Sequence, residues 1–194
     1  MAQELEMKIL TSYEEFDRCR AFLQQHTGHR GDRYVQVNYY FDTPDLRLAS
    51  ARTMLRVRRK KNALLLQYKN KRERKGDLLL CDEWEAPLPC FPSSVDPSEY
   101  FPEAPHENCV LLGNLVTDRT DFVFDGAVVS LDESIYFGKS DYEIEIEGDR
   151  SAIERLSRLL SPKGESGKGL GKFSRFLKEY QQYTTPHSSE GEIL

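Results

Sequence analysis

Glu143, Glu145 and Glu147 stand two residues apart in the run Tyr142-Glu143-Ile144-Glu145-Ile146-Glu147, and Glu4, Glu6 and Lys8 repeat that spacing near the N-terminus. Arg56 with Arg58, Gln67 with Lys69, and Glu83 with Glu85 follow the same rule. In a strand, side chains two apart share a face. Each segment therefore has one polar or ionised face and one apolar face, the latter carried by Leu5, Met7 and Ile9, by Leu55 and Val57, by Leu66 and Tyr68, by Trp84 and Ala86, or by Tyr142, Ile144 and Ile146. Alternation of this kind commonly means a sheet with one face in water. These stripes, however, are nearly pure in charge and often of one sign. Glutamates so close repel one another and call for a cation or for facing basic groups. Hard divalent cations take carboxylate oxygens, and guanidinium forks match phosphate oxygens. The chemistry indicated is that of a polyanion held with a metal inside a charged enclosure.

The elements that must position these residues are mostly strands. Alternating or β-rich segments occur at Glu4–Leu10, Tyr34–Phe41, Met54–Arg59, Ala63–Lys69, Leu78–Ala86, Leu111–Phe124, Val128–Tyr136 and Asp141–Glu147. Lys61-Asn62 and Asp125-Gly126 are hairpin turns, so the sheet should be largely antiparallel. Ser12 with Glu15 forms a capping box before a helix that buries Phe16, Cys19 and Leu23 and ends at Gly28 and Gly31. A second helix runs from Asp149 to Leu160, ahead of Pro162, and a last one from Phe173 to Tyr183. The Pro-rich stretch between Pro87 and Pro105 reads as an irregular loop with at most a short helix. The expected fold is α+β and mainly antiparallel β: an eight-stranded closed, tunnel-like barrel with a charged interior and a few helices packed outside. Residues 1–183 form one domain in this reading, and 184–194 a disordered tail.

Composition bounds the function. The chain has 194 residues, 39% apolar and 30% charged, with a net charge of −5. That balance argues against nucleic acid or an anionic membrane as partner. The N-terminal MAQELEMKIL carries acids where a signal peptide needs an apolar run, and no stretch approaches the ~20 apolar residues of a membrane span. The four cysteines make no CxxC pair. A cytoplasmic protein with reduced thiols is expected, as a monomer or homodimer. The loop Gly164–Gly169 is not a Walker A motif, because Pro162 and Gly169 stand where Gly and Ser or Thr are needed. His26, His29, His106 and His187 show no metal or triad spacing.

Taken in order, these residues resemble a known family. Glu4-Leu5-Glu6-Met7-Lys8 is similar to the ExExK signature of the CYTH, or triphosphate tunnel metalloenzyme, superfamily. Tyr40-Phe41-Asp42-Thr43-Pro44 resembles its YFDTP segment, Leu55-Arg56-Val57-Arg58 its LRxR strand, and Leu66-Gln67-Tyr68-Lys69 its strand ending in lysine. Asp118-Arg119, Leu131-Asp132, the Tyr142–Glu147 run and Lys172-Phe173-Ser174-Arg175-Phe176 resemble its later segments. The resemblance spans about residues 4 to 183 and implies an eight-stranded tunnel that binds a triphosphate with Mg²⁺ or Mn²⁺.

On that basis Lys8, Arg56, Arg58, Lys69, Arg119, Lys172 and Arg175 are candidates for the phosphate oxygens. Glu4, Glu6, Asp132, Glu143 and Glu145 are candidates for the metal, Glu83 and Glu85 for orienting the basic residues, and Glu147 for a further ligand or a place at the rim. Lys8, Glu6 and Arg58 are the candidate catalytic groups. The expected activity is metal-dependent hydrolysis of a triphosphate, with inorganic tripolyphosphate as first choice because it needs no pocket for an organic group. Thiamine triphosphatase, a class IV-type adenylate cyclase and a non-catalytic polyphosphate-binding module are the alternatives. Met54 stands just before the LRxR strand, where an aromatic would be expected to stack on thiamine.

Overall fold

The computed structural model describes residues 2–75, 78–160 and 171–184; the side chains of residues 2–4, 71–75 and 78–81 lie outside what is described. The Gly164–Gly169 loop and the tail beyond Thr184 also lie outside the described residues. The chain runs β1 (Ala2–Thr11), α1 (Tyr13–Thr27), β2 (Asp32–Asp42), α2 (Arg47–Ser50), β3 (Thr53–Lys60), β4 (Ala63–Lys75), β5 (Leu78–Leu88), β6 (Ser94–Val95), β7 (Cys109–Phe124), β8 (Ala127–Tyr136), β9 (Lys139–Gly148), α3 (Arg150–Leu160) and α4 (Lys172–Thr184). Within the Pro-rich stretch, the only order among the described residues is β6 and a single 3-10 turn over Pro97–Glu99. No described helix is long and apolar enough to cross a membrane.

All strand pairings are antiparallel. Neighbours follow the order β2, β3, β4, β5, β1, β9, β8, β7, and β7 pairs again with β2. Each of these eight strands thus has a partner on both sides, and β6 is appended outside the ring, on β7. Tight turns make the hairpins. Asp125 and Gly126 both adopt positive φ, 49° and 80°, the geometry of a two-residue type I′ turn. Phe137 and Gly138 do the same at 46° and 73° between β8 and β9, a turn that the sequence reading did not single out. Helix α1 begins where Ser12 accepts a bond from the Glu15 amide and ends on Gly28 in the left-handed region, φ 73°. Helix α3 is capped by Asp149, which accepts from the Ala152 amide at 2.8 Å.

Three apolar clusters hold the ring. Met7, Ile9, Val129, Leu131, Ile144 and Ile146 turn outward and are covered by Phe16, Cys19 and Leu23 of α1 and Ile153, Leu156 and Leu160 of α3. Phe41, Leu55, Val57, Leu66 and Tyr68 also turn outward, under Leu48 of α2 and Val95, Phe101 and Ala104 of the Pro-rich segment. Trp84 packs on the edge of this second cluster. The third cluster lies on the inward-facing side. Phe176 of α4 sits among Tyr40, Met54, Leu115 and Tyr136, whose register places them on the same face as the charged stripes. Helix α4 therefore departs from the expected arrangement: it packs into one end of the ring. Gly113 favours this, because its φ of 155° is one that other residues rarely adopt and a Cβ there would stand 3.1 Å from the Phe176 ring, which would have to shift.

Asp42 of the Tyr40–Pro44 segment has a structural task. It is fully buried, and its carboxylate accepts from the amides of Thr43 (2.7 Å), Leu48 (2.9 Å) and Ala49 (2.9 Å), fixing α2 against the second cluster. Charge-assisted bonds to buried amides are among the stronger ones. Asp42→Ala is expected to cost about 3 kcal/mol of stability, read as a lower denaturation midpoint at unchanged m-value.

Candidate functional site

The register brings the charged stripes onto a single inner surface. Lys8 faces Glu145, Asp132 faces Glu143, and Arg119 faces Asp132; on the other wall Arg58 faces Asn38, Arg56 faces Gln67, and Lys69 faces Glu83. Directly opposed residues lie on the same face of a sheet. The apolar alternates hold the outside, so the ring is turned inside out relative to an ordinary barrel core.

One wall is acidic at heart. Asp132, Glu143 and Glu145 are buried or nearly so, and each offers an oxygen within 4.8 Å of the others. Basic groups surround them. Arg119 makes a two-pronged contact with Asp132 at 2.7 and 2.6 Å and reaches Glu145 at 2.9 Å. Lys172, from the first turn of α4, sits among all three carboxylates, contacting Glu143, Asp132 at 2.7 Å and Glu145 at 3.3 Å. Arg175, three residues on, binds Glu143 at 2.9 Å and Asp141 at 2.7 Å. Lys8 lies 2.5 Å from Glu6 and 3.5 Å from Glu145. Burial alone would raise the carboxyl of Glu145, yet Lys8, Arg119 and Lys172 together hold it well below the ordinary range. Asp132 is also lowered, with Lys172 and Arg119 outweighing burial. Glu6 goes the other way: burial pushes it up to about 7, more than Lys8 can offset, and the neighbouring Glu145 adds to the rise. Lys8 is raised to about 12, because Glu145 and Glu6 outweigh the cost of its burial.

The facing wall is basic. Lys69 and Arg56 approach Glu83, the latter at 3.9 Å, and Gln67 bridges them by accepting from Arg56 Nε (2.6 Å) and donating to Glu83 (2.8 Å). Burial would raise Glu83, but Lys69 pulls it below its ordinary value. Arg58 differs from every other basic group in the interior. Its Nε donates to Asn38 Oδ1 at 3.1 Å, and no carboxylate among the described residues pairs with it. Burial first, then the charges of Arg56 and Arg119, bring its guanidinium down to about 9.

The structure thus gathers Glu6, Lys8, Arg119, Asp132, Glu143, Glu145, Lys172 and Arg175 on one side and Arg56, Arg58, Lys69 and Glu83 on the other. Glu85 takes a bond from Gln67 but is exposed, and Glu147 is exposed at the rim opposite Glu6. Glu4 lies on the inner register opposite Cys81, with its side chain outside the described residues. The sequence reading gave no role to Asn38, Tyr40, Asp121 or Asp141. Tyr34, Gln36, Asn38 and Tyr40 carry the same two-residue spacing as the charged stripes, and that spacing was the signal available for the first two.

A closed antiparallel ring with an ionised interior and an apolar coat defines a tunnel-type barrel. The chain belongs to the CYTH domain family, whose model matches residues 2–163. It is 28% identical to the candidate triphosphatase YjbK of Bacillus subtilis (strain 168) over 91% of this chain and 95% of that protein. Among solved structures it is similar to a candidate adenylate cyclase from Bacillus halodurans (27% identity, TM-score 0.69, 91% of this chain and 99% of that one). It is similar in fold to a candidate adenylyl cyclase from Hippeastrum, described as having a dominant triphosphatase activity (23% identity, TM-score 0.68, 91% and 96%).

Proposed function

We propose that this protein is a divalent-metal-dependent triphosphatase and that inorganic tripolyphosphate is its substrate. The observation that carries the reading is Arg58: a half-buried guanidinium beside Arg56, in no ion pair among the described residues, across the ring from a carboxylate cluster. A partly desolvated cation beside another cation, held in no ion pair, is costly unless an anion comes to it. The relationship to YjbK, at 28% identity across nearly both chains, supports the same class of reaction.

Phosphoryl transfer asks the protein for positioning and charge neutralisation more than for covalent help. Arg58, Arg56 and Lys69 would hold phosphate oxygens on one wall. Lys8, Arg119, Lys172 and Arg175 would follow the chain of phosphates past the acidic wall. Asp132, Glu143 and Glu145, with Glu6 beside Glu145, offer the oxygen-only donor set that Mg²⁺ or Mn²⁺ prefers, and the Lys172 ammonium among the first three supports a cation in that place. A metal held there would draw electron density from the terminal phosphoryl group and acidify a bound water. Lys8, between Glu6 and Glu145, would position that water.

The test is phosphate release from tripolyphosphate, thiamine triphosphate and ATP, each with Mg²⁺, Mn²⁺ or EDTA. Fastest release from tripolyphosphate, abolished by EDTA, is the expected result. Cyclic AMP with pyrophosphate from ATP would move the assignment to a cyclase. Binding without release would move it to a polyphosphate-binding module.

A further inference from the structure

Two buried donors in the interior have nothing to donate to. Asn38 is 1% exposed and Tyr40 is 0% exposed, and neither Asn38 Nδ2 nor Tyr40 Oη has a hydrogen-bond partner among the described residues. Natural proteins rarely bury such groups unsatisfied, since each costs about as much as a lost hydrogen bond. Both sit on β2 facing inward, Asn38 opposite Arg58 and Tyr40 opposite Arg56. Their surroundings fix their direction. The Asn38 carbonyl is committed to Arg58 Nε at 3.1 Å, so its amide N–H group is the end left over. The Tyr40 ring is wedged against Phe173 and Phe176, with centroids 4.9 and 4.7 Å away, while the charges of Arg56, Lys172, Arg58 and Arg175 all act on its hydroxyl.

We infer that Asn38 Nδ2 and Tyr40 Oη are substrate-binding donors which, with Arg56 and Arg58, form a cradle for the oxygens of one phosphate group. The inference rests on the triphosphatase reading. Its physical logic is that the wall already carries Arg56 and Arg58 side by side, and a further cation would add repulsion. Neutral donors add hydrogen bonds to an anion without adding charge.

The experiment is calorimetric titration of the full chain with tripolyphosphate, in EDTA and in Mg²⁺, for the parent, Tyr40→Phe and Asn38→Asp. Thermal melting without ligand accompanies each. Roughly tenfold weaker binding is expected for Tyr40→Phe. At least as large a loss is expected for Asn38→Asp, which keeps the bond to Arg58 but turns the remaining donor into an acceptor. Tyr40→Phe without ligand is expected to melt no lower than the parent, because an unsatisfied hydroxyl has been removed. If the parent binds and both variants bind equally well, the donors serve a buried water and this inference falls while the triphosphatase reading stands. If binding weakens together with a lower ligand-free melting temperature, the residues are structural and the inference also falls. If the parent binds tripolyphosphate in neither buffer, the functional reading itself is overturned and the cradle with it.

Discussion

Glu6→Gln is expected to lower metal-dependent phosphate release at least about 100-fold while leaving the fold in place. Glu6 is buried between Lys8 and Glu145, and its carboxyl is raised to about 7. Near neutral pH the metal-free side chain is therefore partly protonated, and glutamine copies that form: its amide can donate to Glu145 and its carbonyl can accept from Lys8. It cannot become the anionic oxygen donor a divalent ion requires. The same shift predicts a pH signature. Between the ordinary 4.5 and about 7, the folded chain holds a proton that the unfolded chain has released. Glu6 therefore makes the metal-free protein lose stability as pH rises through that window, and the loss is complete above it. Glu6→Gln should flatten this slope in urea unfolding across pH 5 to 8. Turnover and metal dependence like those of the parent would exclude Glu6 from the metal site.

Arg58→Met is expected to lower kcat/KM for tripolyphosphate by roughly 1000-fold and at the same time to raise the stability of the ligand-free protein by about 1 kcal/mol. The two effects have one cause. Arg58 is a half-buried cation in no ion pair among the described residues, and burial and the charges of Arg56 and Arg119 outweigh the more distant Glu83 and Glu145, so the folded protein bears part of its desolvation until an anion arrives. Arg119→Met makes the opposite case. That guanidinium neutralises Asp132 and Glu145, and its removal leaves buried carboxylates under-compensated, for a loss of about 3 kcal/mol. Thermal melting of the two variants without ligand should therefore move in opposite directions. A fall for both would mean that Arg58 is held by a counter-charge and is no receptor for phosphate.

Where charge and apolar residues alternate cleanly, as at Glu6-Met7-Lys8 or Arg56-Val57-Arg58, the sequence displays the inner and outer faces directly, and the structure places them so. Hairpin turns were legible at Asp125-Gly126, where glycine marks the positive φ. Ring closure was expected only from the need to enclose the charged faces and from the family resemblance: nothing in Tyr39 or Val116 themselves declares that β2 must meet β7 rather than remain an edge. Asn38 and Tyr40 offered only their spacing, because a neutral residue in a strand looks alike whether it faces water, lipid or phosphate. The destination of α4 was hidden for a related reason. Phe173, Phe176 and Tyr180 announce an amphipathic helix, but only the finished ring has an open end to receive it.

The ring's two kinds of joint have a consequence for how the molecule assembles. Strands β2 to β5 and β7 to β9 are successive hairpins, whereas β2 with β7 and β1 with both β5 and β9 join segments far apart in the chain. Local ladders form quickly and distant ones slowly. The two meanders should therefore zip first, as half-pipes whose charged concave sides are still wet. Dehydration of the carboxylates and guanidiniums is then concentrated in the final seam-closing step. A solute able to neutralise the inner face, such as a polyphosphate with its counter-ion, would act on refolding speed as well as on the finished protein, serving as a mandrel around which the sheet is rolled shut.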